Sequence, residues 1–184
     1  GGGGHQVSKE WQVWCPDAWV VYVMQQGYKI EFLELPAFRG VHISPIPQTL
    51  SGKELLSEEV NGLLAKAAIR EVIGDPNEGF YSRIFLAPKK GGKWRPVVDL
   101  KPLNAYIKKQ KFKMATLQGV ILDVEEGDWM ISVDLKDAYL HVPIHPSHWK
   151  YLRFALGERK FEFMVLPFGI TTAPRIFTKM IAPV

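Results

Sequence analysis

This 184-residue chain predicts an α+β fold, and three observations carry it. Two hairpins can be read from alternating strands joined at glycines, one turning at Lys90-Gly91-Gly92-Lys93 and one at Gly157-Glu158. A helix with apolar residues at helical spacing precedes both. No strand–helix–strand alternation repeats along the chain, so helices are expected to pack on antiparallel strands instead of crossing over parallel ones.

The elements follow in order. Gly1-Gly2-Gly3-Gly4-His5 opens a segment expected to be a disordered tail, without the basic and apolar regions of a signal peptide. Asp17 can cap a short helix reaching Met24. Tyr28 to Leu35 alternates as an edge strand ended by Pro36, and Arg39 to Thr49 reads as loop from its prolines. Ser51-Gly52-Lys53-Glu54 fits a capping box. Leu56, Val60, Leu63, Leu64 and Ala67 then mark a helix expected to end near Gly74-Asp75-Pro76. Tyr81 to Ala87 and Trp94 to Leu100 are the strands of the first hairpin, whose glycines permit the positive φ of a tight turn. A helix is expected around Thr116 to Glu125. After it comes a β-branched, apolar strand, Met130-Ile131-Ser132-Val133, ending in Asp134. Lys150 to Leu156 and Lys160 to Leu166 form the second hairpin, and Pro174 suits the first turn of a last helix.

Composition is that of a globular protein, 47% hydrophobic and 23% charged. No run approaches the roughly 18 apolar residues of a membrane span, so no membrane partner is expected. The single cysteine, Cys15, excludes an internal disulfide and fits a reducing, intracellular compartment. The net charge of +4 hides an asymmetry: Arg83 to Lys113 holds ten Lys/Arg against one acid, Asp99. Dense positive charge on a short segment is the footprint of contact with a phosphate backbone.

Phosphoryl transfer needs carboxylates to position metal ions and cations to meet the phosphates. Asp134 at a strand end is the metal-ligand candidate, since magnesium takes carboxylate oxygen. Asp137 and Tyr139 lie on the following turn. His141, His145 and His148 invite a zinc reading, but no cysteine accompanies them and Pro143 and Pro146 make the spacing loop-like. Asp99, alone among cations, reads as a salt-bridge partner. No Gly-x-Ser-x-Gly, phosphate-loop or dinucleotide glycine pattern is present.

Five motifs occur in order: Lys93-Trp94-Arg95-Pro96, Val98 to Asn104, Asp134 to Tyr139, Phe161 to Gly169 with Leu166-Pro167-Phe168-Gly169 at its end, and Ala173-Pro174 with Phe177. From about Phe80 to Val184 this set resembles the fingers and first half of the palm of reverse transcriptases. Gly127-Asp128-Trp129-Met130, Asp137 to Ile144 and Phe177-Thr178-Lys179 are most similar to the DIRS-type retrotransposons, which carry a tyrosine recombinase. Asp17 to Val20 and Gly27 to Phe32 extend the likeness to about residue 10. The implied organisation is a tail (1–9), an N-terminal extension (10–50), fingers (51–128) and a partial palm (129–184).

The resemblance implies roles residue by residue. Asp134 would be the first catalytic metal ligand, with the Leu135 carbonyl beside it. Asp137 and Ala138 would offer amides to the incoming triphosphate, and Tyr139 would exclude a ribose 2′-hydroxyl. Arg95 and either Lys89 or Lys90 would meet the phosphates. Phe168 and Gly169 would touch nucleotide and template. Lys93, Lys101, Asn104 and Pro174 would contact nucleic acid. The complete enzyme would use two Mg²⁺ ions, or Mn²⁺, with an RNA or DNA template-primer and deoxynucleoside triphosphates, and a ribonuclease H region is usually fused behind. The family's second carboxylate pair, in a Tyr-x-Asp-Asp hairpin, has no counterpart in these 184 residues. These residues alone are therefore expected to be an inactive fragment; a non-catalytic nucleic-acid-binding module is the alternative.

Overall fold

The computed structural model describes residues 22–23, 25–107 and 142–167, with the backbone of 112–115, 121–124 and 130–132. Helix α1 spans Leu50–Ala65. Its cap is Thr49, whose hydroxyl accepts the Gly52 N–H at 3.2 Å, so the start lies ahead of the expected Ser51 box. Leu56, Val60 and Leu63 are buried along one stripe. The helix stops at Lys66, well before Gly74. Ala68 N–H reaches back to the Leu63 carbonyl and Ala67 N–H to that of Leu64, with Ala67 at φ 56°. This is a Schellman stop with alanine where glycine usually stands. It leaves Ala67 off the core stripe and frees Ile69–Glu71 to be strand β2.

Strand β1 is Ile43–Ser44, inside the segment expected to be loop. The first hairpin is β3 (Arg83–Lys89) with β4 (Lys93–Asp99). Helix α2 is the short turn Lys101–Asn104. Strands β5 (Phe112–Ala115) and β6 (Ile121–Val124) pair antiparallel, which replaces the helix expected around Thr116 to Glu125. Val120, Ile121, Leu122 and Val124 suit either period, and a partner strand in reach decides for the ladder. Strand β7 is Met130–Ser132. A 3₁₀ helix, Pro146–Tyr151, leads into β8 (Arg153–Leu156) and β9 (Arg159–Phe163), the second hairpin.

These strands make a four-stranded sheet β1-β8-β9-β2, a three-stranded sheet β3-β4-β7 and the β5-β6 pair. Only β1 with β8 is parallel among the named pairs. The expected strand Tyr28–Leu35 is instead two single bridges, Tyr28 to Ile144 and Phe32 to Ile107. The core runs between the sheets and α1 through Leu56, Val60, Ile84, Val98, Leu103, Phe154, Phe161 and Leu166. The Ser44 hydroxyl accepts the Ile84 N–H at 3.0 Å and ties the two larger sheets together.

This fold is the expected mixture of helices and mainly antiparallel strands. Among the described residues no helix is long and apolar enough to cross a membrane. The helices expected from Asp17 and after Pro174 lie largely or wholly outside the described residues, although Tyr22, Val23, Gln25 and Gln26 are helical.

Candidate nucleotide and nucleic-acid site

The β3–β4 ladder pairs Lys89 with Lys93, Pro88 with Trp94 and Ala87 with Arg95. Three residues, Lys90-Gly91-Gly92, close it, with both glycines at positive φ (85° and 71°). Everything from Pro88 to Arg95 is exposed, so four cations crowd one tip. Lys90 leaves the ladder while Lys89 stays in it, and both remain solvent-facing.

Successive residues of a strand face opposite sides, so Trp94 and Arg95 diverge. Trp94, 55% exposed, borders a cleft of about 700 Å³ between the hairpin and the start of α1, shared with Leu86, Gly52 and Leu55. Arg95 lies on the other face.

Strand β7 packs beside β4 through Asp99–Met130, Val98–Ile131 and Val97–Ser132. Because β7 runs antiparallel, it leaves Val97 heading for the end of β4 that bears Arg95. Asp134 follows Ser132 by two residues. Asp134, Leu135, Asp137, Ala138, Tyr139, Phe168, Gly169 and Pro174 lie outside the described residues, as does His141.

The remaining candidates are spread over the two strands of the hairpin and α2. Lys101 is exposed at the start of α2, and its N–H is taken by Asp99 Oδ1 at 3.1 Å. Asp99 thus holds a turn instead of an ion pair among the described residues. Asn104 is 1% exposed, beneath α2 and not on its surface. Lys89 and Lys93 end the ladder that begins at Arg83 opposite Asp99. Six residues at about 3.3 Å each put roughly 20 Å between these ends.

His148 Nδ1 accepts the Ile30 N–H at 2.9 Å. Burial, with Lys29, His145 and Lys150 adding to it, lowers its pKa to about 4. His145 Nδ1 accepts the Ser147 N–H at the start of the 3₁₀ helix. Both rings serve the backbone. Among the described residues no three His, Cys, Asp or Glu groups gather as a metal site.

A second cleft was not evident from the sequence. Arg39, His42, Ser82 and Arg83 line it at the foot of the hairpin. The adjacency of Ser82 and Arg83 gave no sign of Arg39, more than forty residues earlier.

The reverse transcriptase (RNA-dependent DNA polymerase) family model matches residues 87–184. The Tf2-3 polyprotein of a Schizosaccharomyces pombe transposon is 30% identical over 127 residues, which is 67% of this chain and 9% of that protein. The Tf2-7 polyprotein of the same yeast is 29% identical over the same length. This chain thus spans about a tenth of these relatives. Among solved structures, the foamy viral protease-reverse transcriptase in complex with double-stranded DNA superposes with a TM-score of 0.56 at 16% identity, over 84% of this chain and 29% of that one. The native prototype foamy virus protease-reverse transcriptase gives 0.54 at 16% identity, over 83% of this chain and 20% of that one. These likenesses carry the fold, and the family match covers more than half of the sequence. The chain belongs to the reverse transcriptase (RNA-dependent DNA polymerase) family.

Proposed function

We propose that this chain is the fingers and the first part of the palm of a retrotransposon reverse transcriptase, of the DIRS type, acting on an RNA or DNA template-primer. The observation that carries the reading is β7 lying beside β4 and running toward the end with Arg95, because this points the strand that ends at Ser132, two residues before Asp134 in the sequence, toward the basic tip. Residues 51–128 make the fingers and 129–184 the partial palm, behind an N-terminal extension at 10–50. The Tf2 transposon polyproteins as relatives support the retrotransposon origin.

Each side chain then has a task. Arg95 and Lys89 or Lys90 meet the triphosphate of a deoxynucleotide; Lys93, Lys101 and Pro174 meet nucleic acid, with buried Asn104 supporting that surface from beneath. Asp137 and Ala138 offer amides, Tyr139 sorts the sugar, and Phe168 with Gly169 borders the nucleotide. Hard carboxylate oxygen from Asp134, with the Leu135 carbonyl, suits Mg²⁺ or Mn²⁺. Such ions would neutralise charge on the phosphates and orient the attacking oxygen.

These 184 residues contain no Asp-Asp pair, and one carboxylate cannot hold both metals. The isolated chain is expected to extend no primer above an Asp134→Ala control; extension above it would overturn the inactive reading. Nucleic-acid binding without synthesis is the second reading, favoured by the exposed tip. It requires binding that falls steeply with salt and weakens in K89Q/K93Q/R95Q. Salt-insensitive binding, or none, would remove nucleic acid from both readings.

A further inference from the structure

At the foot of the first hairpin, Arg39, His42, Ser82 and Arg83 line a cleft of about 310 Å³. The residues come from the N-terminal extension and from the entry to β3. Arg39, His42 and Arg83 have no ion-pair partner among the described residues. Both guanidiniums are braced on rings: the Arg39 Cζ lies 5.3 Å from the Phe80 centroid, and the Arg83 Cζ lies 5.0 Å from that of Phe85. Stacking uses the flat face of a guanidinium and leaves its N–H edge for a bidentate anion.

Ser82 adds an independent sign. Its residue is 3% exposed, and its Oγ is buried with no hydrogen-bond partner among the described residues. A buried hydroxyl without a partner is costly to the fold, so one in this position suits an acceptor arriving from outside. The opposing charge is Asp99, which also borders the cleft and already accepts the Lys101 N–H. Two arginines outweigh it.

We propose that this cleft binds a backbone phosphate of a nucleic-acid strand whose other contacts are at the Lys89–Arg95 tip. This rests on the reading that the basic hairpin meets nucleic acid. The two ends of the ladder are roughly 20 Å apart, about six nucleotide steps at 3.4 Å. A small anion reaches one end only; a strand reaches both.

The experiment measures anisotropy of labelled single-stranded oligonucleotides, about four and about twelve nucleotides long, with the 184-residue chain across a salt series. R39Q/R83Q is expected to weaken the longer strand about tenfold and flatten its log–log salt slope by about 1.4, as for two lost phosphate contacts. The shorter strand, held at the tip, should barely change. R39K/R83K should restore the slope but not the full affinity, since lysine lacks the fork. Ser82→Ala should weaken the longer strand alone while leaving thermal stability unchanged or higher. Both arginines are exposed, and unaltered circular dichroism of the variants checks the fold.

If R39Q/R83Q binds the longer strand like wild type while K89Q/K93Q binds it weakly, the cleft inference fails and the function reading stands. If wild type binds neither strand, both fail. Inorganic phosphate is titrated alone against the arginine Nε–H signals. Shifts at Arg39 and Arg83, with strand binding indifferent to R39Q/R83Q, would mark a free-phosphate pocket and overturn the strand assignment.

Discussion

Two hairpins, β3–β4 with strands of seven residues each and β8–β9 with strands of four and five, put the same local motif to opposite uses. The first ends in Lys89, Lys90, Lys93 and Arg95, all exposed, and keeps its core side chains near the other end, at Ile84 and Val98. The second buries nearly its whole length: Phe154 is 0% exposed, Phe161 1% and Phe163 2%. Its charges are internal as well. Glu162, 2% exposed, accepts from Arg153 at 3.0 Å and from Arg70 on β2 at 2.8 Å. Arg153 also donates to the Asp75 carbonyl, and Arg70 lies over the Trp149 ring at 4.4 Å. A hairpin with neighbours on both edges becomes core, whereas a tip projecting past its neighbours is left for solvent and ligands.

The comparison breaks most readily at Glu162. Glu162→Ala strands two arginines, one of them buried, and is expected to cost about 3–5 kcal/mol in chemical denaturation. A loss under about 1 kcal/mol would mean that the second hairpin is held by its aromatics alone. At the first hairpin, G91A/G92A forces two side-chain-bearing residues into left-handed backbone, at about 2–4 kcal/mol in all. Space around both glycines is open, so the cost is conformational. A much larger loss would show that the tip packs on something.

Acid should act on the second hairpin first. His148 precedes β8 and touches Tyr151 and Phe32. Its folded pKa, about 4, lies below the ordinary 6.5. The unfolded chain therefore takes up its proton first, and stability present above pH 6.5 drains away as the pH falls toward 4. With the ring only partly buried, about 1 kcal/mol is expected, read as a melting temperature that falls less in His148→Gln. The smallest effect belongs to Arg159–Glu71, 2.7 Å apart but more than half exposed. Arg159→Ala should cost under about 0.5 kcal/mol. A greater loss would make the turn end of β9 part of the buried network.

Several elements were legible because their signals are local. Paired glycines between alternating strands marked the first hairpin to within two residues at each strand end. Gly157-Glu158 marked the second, and Leu56, Val60 and Leu63 marked α1. The errors fell where local signals compete. Thr49 and Ser51 are both hydroxyl caps, and only the turn itself chose Thr49. Ala67 continues the apolar stripe, yet the chain turns there. Leu122 and its neighbours fit two periods, and pairing with Met114 decided between them.

The sequence by itself determined that this is an α+β chain with a basic, glycine-turned hairpin, because those features depend on residues a few positions apart. Tertiary structure alone decided that β7 lies against β4, that Glu162 sits between two arginines, and that Arg39 meets Ser82 and Arg83. Each of these joins segments far apart in the chain, and such pairings are chosen by the burial and hydrogen bonding of the whole fold, which no short stretch of sequence contains.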